Sequence, residues 1–241
     1  MDKPAPRKRR KRPQSGVAAG SQPDGVIYAP QGLERGISVL TAEPVFAGIL
    51  ERAGLPRFRR RSNGFGTLLH IILEQQVSID AAAAMYRRLL GLCCPFRPKT
   101  FLTLDDATLR SCGFSRQKMG YARDFAAAVE GGQFDFARLA AADDDTALAQ
   151  LLAIRGIGRW SAEIYLLFAL GRADIWPAAD LGLQASVGKH LDFGTRVSEV
   201  ELRRCGEAWR PWRSVAACLF WQSYLHERGR AAPQLPPELY A

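Results

Sequence analysis

The chain has 241 residues, 47% of them hydrophobic and 10% aromatic, which is enough to bury a real core and excludes disorder throughout. Lys and Arg number 33 against 24 Asp and Glu, a net charge of +9, and no apolar run approaches the roughly 20 residues of a membrane-spanning helix. The five cysteines contain no C-x-x-C, which argues against a disulfide scaffold or zinc ribbon and fits a reducing cytoplasm.

The first element is a basic arm. Lys3 and the run Arg7–Arg12 stand against the single Asp2, in a segment rich in Pro, Gly, Ser and Ala that lacks apolar periodicity. Residues 1–24 are therefore expected to be disordered and to seek a polyanion, with a solubilising tail or an import signal as the plainer alternative. The arm has no apolar h-region and is not a secretory signal. A short extended piece is expected near Val26–Tyr28, and residues 25–241 are read as one domain.

From about Thr41 onward the pattern is helical. Leu68, Ile72, Val77, Ala81, Met85 and Leu89 recur at three- and four-residue steps. Ser115 is placed to cap a helix through Tyr121 and Val129, ended by Gly131 and Gly132. Asp143–Asp145 are placed to cap another through Leu148 and Leu152. After Gly158 an apolar helix runs from Trp160 to Leu170, stopped by Gly171. Pro177 and Ser198 open two more, and Pro211 starts a last one through Trp221 and Leu225. The fold class expected is all-α, with about ten helices. His70, His190 and His226 lie far apart, form no H-E-x-x-H motif and are read as structural.

Residues 151–165 carry the functional signal. Gly156-Ile157-Gly158 joins two helices through a very tight turn, with Ile157 as its apolar anchor. Such a turn aims backbone N–H groups of a helix start at solvent, where an anion binds well. A bare G-x-G would be an ordinary helix–helix turn, but here Asp174-Ile175-Trp176-Pro177-Ala178-Ala179-Asp180 follows about twenty residues later.

This combination resembles the helix-hairpin-helix base-excision DNA glycosylases, in particular the DNA-3-methyladenine glycosylase II branch. Three further segments resemble that branch: Ile72-Leu73-Glu74-Gln75-Gln76-Val77-Ser78, Leu109 to Lys118, and Arg210-Pro211-Trp212-Arg213-Ser214. The resemblance spans about residues 60–225. It implies a two-lobed all-α fold with a cleft between lobes, one holding the hairpin and Asp180, the other the Gln75–Gln76 helix. Relatives often carry an amino-terminal β-rich domain, for which residues 25–60 are too short.

The resemblance also implies roles. Asp180 would be the catalytic carboxylate, placed by Pro177 in the first turn of a helix and aimed at the cation that forms on the sugar. Trp160 and Trp221 match pocket tryptophans, with Tyr165 and Trp212 as further pocket candidates able to stack on a cationic alkylated base. Ile164 stands where some relatives have an aromatic residue. Gln76 matches the side chain inserted into the duplex when a base is flipped out, supported by Gln75 and Ser78. Phosphate contacts are expected from the amides of Gly156, Gly158 and Trp160, with charge from Arg159 and from Arg155, which replaces the usual proline.

Bifunctional relatives place a lysine two residues after the second hairpin glycine; here that residue is Trp160. Only Cys205 and Cys218 follow the hairpin, too few for a four-cysteine iron–sulfur cluster. The activity implied is hydrolysis of alkylated bases from double-stranded DNA to leave an abasic site, without lyase activity. No redox or nucleotide cofactor is implied, although a monovalent cation on the carbonyls of Leu152, Ile154 and Gly156 is. The protein is expected to act as a monomer in the bacterial cytoplasm on nucleoid DNA, or in a nucleus if eukaryotic. Two alternatives stay open: a glycosylase for an oxidised or deaminated base, and a noncatalytic hairpin module that only holds DNA.

Overall fold

A computed structural model describes residues 32–241, so the basic arm and the Val26–Tyr28 piece lie outside the described residues. Among the described residues there are thirteen α-helices and no strand. The first half holds α1 (Gly32–Leu40), α2 (Pro44–Ala53), α3 (Phe65–Glu74), α4 (Ile79–Leu90), α5 (Pro98–Leu102), α6 (Asp106–Ser111) and α7 (Arg116–Glu130). The second half holds α8 (Phe136–Ala141), α9 (Asp144–Leu152), α10 (Arg159–Phe168), α11 (Leu181–His190), α12 (Glu199–Gly206) and α13 (Arg213–His226).

The starts follow local chemistry. Ser78, Asp105, Ser115, Asp135, Asp143, Asp180 and Ser198 each accept a backbone N–H of the helix they open, which satisfies one of the orphan donors of its first turn. The helices form two groups. In one, α13 packs on α1, α2 and α11; in the other, α3 packs on α4, α7 and α10. Residues 161–168 of α10 are all buried, so this helix is covered on every side and the two groups share a continuous core.

Three expectations need correction. The helical run from Leu68 to Leu89 is two helices, because Gln76 takes a left-handed backbone (φ 59°) and Ser78 starts α4 afresh. The all-round apolar α10 places the hairpin on α3, beside the Gln75–Gln76 turn, while Asp180 opens α11 in the other group. Asp180 is also the N-cap of α11 rather than a first-turn residue, because Pro177 sits in the preceding turn, where its carbonyl accepts the Asp180 amide at 2.9 Å.

The carboxy-terminal segment closes the fold as a strap. Leu239 O accepts the Ser62 amide at 2.8 Å, the Ala241 amide donates to Arg60 O at 3.2 Å, and Arg61 faces Tyr240 in an isolated antiparallel bridge. Leu235 and Leu239 of the strap are themselves buried.

Candidate active site

The hairpin turn runs from the end of α9 to Gly158. Ile157 is 5% exposed and anchors it in the core, as its position between two glycines suggested. Gly156 is required in two ways. Its φ is +88°, and a Cβ there would overlap the ring of Tyr121. At Gly158 φ is −87° and a Cβ would meet nothing within 4 Å. Gly156→Ala is therefore expected to lower the unfolding free energy by about 2–3 kcal/mol, whereas Gly158→Ala leaves it within about 0.5 kcal/mol of wild type. Urea denaturation of both variants checks this. Gly158 also gives α10 no side-chain cap, so amides of its first turn are open to an anion.

Gln75 does not face outward. Its Nε2 donates to Gly156 O at 2.8 Å and to Ser161 Oγ at 3.1 Å, tying the end of α3 to the hairpin. Gln76 is exposed on the left-handed turn beside exposed Val77 and Ile79, a position from which a side chain can reach into a partner. Ser78 caps α4 through the Ala81 amide. Arg155 pairs with Asp124 at 2.7 Å and Arg159 with Glu163 at 3.1 Å. The Arg155 pair is exposed on both sides, and the Arg159 side chain is itself half exposed. An exposed pair of this kind is worth little, so a phosphate can displace the Arg155 contact, whereas Glu163 is buried and keeps Arg203 as a second partner when Arg159 turns to a phosphate.

A cleft of about 860 Å³ opens beside the hairpin. Trp160, Ile164 and Phe168 line it from α10, Trp221, Tyr224 and Leu225 from α13, and Asp180 lies in its wall. Both sets follow helical spacing, which puts residues four apart on one face. The Trp221 and Phe168 rings stack at 5.6 Å and 25°, and Phe58 meets Trp221 edge-on at 6.0 Å. The pocket is aromatic, but two predicted members are not in it. Tyr165 lies five residues after Trp160, about 140° around the helix. It is fully buried and donates to Asn63 Oδ1 at 2.6 Å, and burial pushes its phenol pKa up. Trp212 precedes α13 and packs on Gly36 of α1, away from the cleft.

Asp180 is held by three donors. Trp160 Nε1 donates to Oδ2 at 3.0 Å, Trp221 Nε1 to Oδ1 at 2.9 Å, and the Leu183 amide to Oδ1 at 2.8 Å. The two tryptophans thus act as wall and as clamp. Oδ1 accepts two bonds and Oδ2 one, so Oδ2 keeps acceptor capacity for a group in the cleft.

Sequence reasoning missed a second charged feature of this cleft. Arg61 and Glu74 both line it and pair through two contacts, Nη1 to Oε2 at 3.3 Å and Nη2 to Oε1 at 3.2 Å. His70 Nδ1 lies 3.1 Å from Glu74 Oε1. Burial by itself pushes the Glu74 carboxyl up, yet the Arg61 charge and the His70 and Arg61 hydrogen bonds outweigh it and hold the group below its ordinary value. A lone glutamate after the run Leu68–Leu73, apolar except for His70, was the available signal, as was Phe58 within the basic stretch Arg57–Arg61.

Residues 69–211 match the description "HhH-GPD superfamily base excision DNA repair protein". The chain is 28% identical over 181 residues to YfjP of Bacillus subtilis, covering 72% of this chain and 63% of YfjP, less than two thirds of that protein's length. It is 30% identical over 169 residues to the alkylbase DNA glycosidase-like protein mag2 of Schizosaccharomyces pombe, covering 68% of this chain and 79% of mag2. The crystal structure of DNA-3-methyladenine glycosidase from Bacillus halodurans superposes with a TM-score of 0.70 at 31% identity, covering 85% of this chain and 93% of that one.

Proposed function

The chain belongs to the HhH-GPD superfamily of base excision DNA repair proteins, and on that footing we propose that it is a monofunctional DNA glycosylase for alkylated bases. The observation that carries this reading is Asp180, fixed by two indole N–H groups at the wall of an aromatic cleft beside the hairpin. The names of mag2 and of the Bacillus halodurans enzyme point to the same substrate class.

The chemistry follows from that arrangement. A flipped purine stacks among Trp221, Phe168 and Phe58, where a cationic alkylated base gains from electron-rich rings. The bond from C1′ to the base breaks with its electrons going to the base, which leaves neutral. The sugar cation is met by the Asp180 carboxylate, and a water oxygen bonds to C1′ while its proton passes to solvent. The uncapped start of α10 holds a phosphate of the same strand. All these groups come from one chain, so a monomer suffices. Gly156 O and Ile154 O already accept protein N–H groups at 2.8 and 3.0 Å, but each keeps a second lone pair, so with Leu152 O they fit a monovalent cation. No step runs through that ion.

No lysine lines the cleft among the described residues, and Trp160, at the position where bifunctional relatives place one, donates to Asp180. This supports hydrolysis without strand cleavage. Incubation with methylated duplex DNA is expected to release free 3-methyladenine or 7-methylguanine, with strand breaks only after hot alkali. Breaks without alkali would refute the monofunctional reading, and absence of any released base would refute the glycosylase.

Gln76 is placed to fill the gap left by the flipped base. In Gln76→Ala, release from duplex DNA is expected to slow by about tenfold relative to release from the same lesion in a single strand, where there is no stack to refill. Single-turnover rates on both substrates measure the ratio.

A further inference from the structure

The far wall of the cleft comes from segments outside the part that matches the family. Residues 57–59, Arg61 and residues 230–235 line it, and the strap pairing described above holds them together. Arg61 is the cationic side chain of this wall that is turned inward. Its side chain is 9% exposed, its guanidinium carbon lies 5.2 Å from the Phe168 ring centroid, and its amide donates to Phe168 O at 2.9 Å. Glu74 engages one edge of the guanidinium. Among the described residues no second side chain accepts from it, although a guanidinium carries five N–H donors.

We propose that Arg61, positioned by Glu74, is a specificity-determining residue that donates a hydrogen bond to the edge of the flipped base. This rests on the glycosylase reading and deepens it. A donor fixed over the Phe168 ring rewards a base that turns a carbonyl oxygen or bare ring nitrogen towards it. Its charge, only partly offset by Glu74, disfavours a base that carries its own positive charge. Neutral purines with an acceptor edge, such as the deaminated base hypoxanthine, are therefore the substrates that lean on Arg61: such a base leaves with the electron pair of its bond to C1′ as an anion that the guanidinium stabilises, and its ring nitrogen then takes a proton from solvent. Cationic bases such as 3-methyladenine, despite their bare ring nitrogens, are disfavoured at Arg61 by their charge and depend on ring stacking instead.

The test compares single-turnover release of hypoxanthine and of 3-methyladenine from duplex DNA. Arg61→Met alone would strand a buried carboxylate, so the informative protein is the double variant Arg61→Met/Glu74→Gln, which removes both charges and keeps the volume. Arg61→Lys retains the charge and loses the planar fork. Binding to abasic-site duplex reports that each variant is folded. The expected result is a fall of about tenfold or more in the ratio of hypoxanthine to 3-methyladenine release in the double variant, with Arg61→Lys between it and wild type. Parallel loss of both activities, or an unchanged ratio, would mean that the pair only braces the wall and would overturn the inference alone. Failure of the wild type to release either base would overturn the glycosylase reading itself.

Discussion

Asp180→Asn is expected to reduce base release from methylated duplex DNA by at least about 100-fold, while binding to abasic-site duplex remains. The carboxylate serves the reaction through its charge, and an amide carries none to set against a sugar cation. The geometry adds a second effect. Oδ1 of the asparagine can keep the bonds from the Leu183 amide and Trp221 Nε1, since asparagine is a good N-cap. The other amide position then presents N–H to the Trp160 indole N–H, which donates to Asp180 Oδ2 at 3.0 Å in the wild type and loses its acceptor. Two donors facing each other cost about 1–3 kcal/mol. The Trp160 ring is therefore expected to move, reporting as a change in intrinsic fluorescence in the same variant. If release persists at the wild-type rate, the carboxylate is only a helix cap.

Glu74→Gln is expected to lower stability by about 3–4 kcal/mol at neutral pH, because it leaves the Arg61 guanidinium buried without a counter-charge. The loss depends on pH. Glu74 is held below its ordinary value in the fold, so its stabilisation is fully present above the unfolded carboxyl value of about 4.3. It fades as pH falls through the lower folded value, where the native state must also take up the proton. The gap in thermal midpoint between wild type and Glu74→Gln should thus be constant above about pH 5 and close on acidification below about pH 4. Melting curves across that range check it. A gap independent of pH would mean that packing rather than charge makes the difference.

Much of the site was legible because its signals are local. The Gly156-Ile157-Gly158 turn needs a left-handed glycine and an apolar anchor, and both requirements show in three consecutive letters. Asp180, Trp160 and Trp221 were found through the resemblance, and the structure joins them by two hydrogen bonds. Helical spacing carried more than was taken from it. Trp160, Ile164 and Phe168 fall on one face, which includes Phe168 and excludes Tyr165.

What the sequence determined by itself is the part set within one or two turns of chain: helices from apolar periodicity, their starts from capping side chains, and the hairpin from its glycines. Which face of a helix meets the cleft, which aromatic residues are core, and which charges are buried depend on elements distant in sequence. Arg61 and Glu74 become a buried pair only because the strap residues 235–241 cover the 57–62 segment and hold it over the end of α3. Tyr165 and Trp212 leave the pocket only because Asn63, ahead of α3, and Gly36 of α1 reach them first. Burial is a property of the packed whole, so the tertiary structure alone decided the pocket's charge and its far wall.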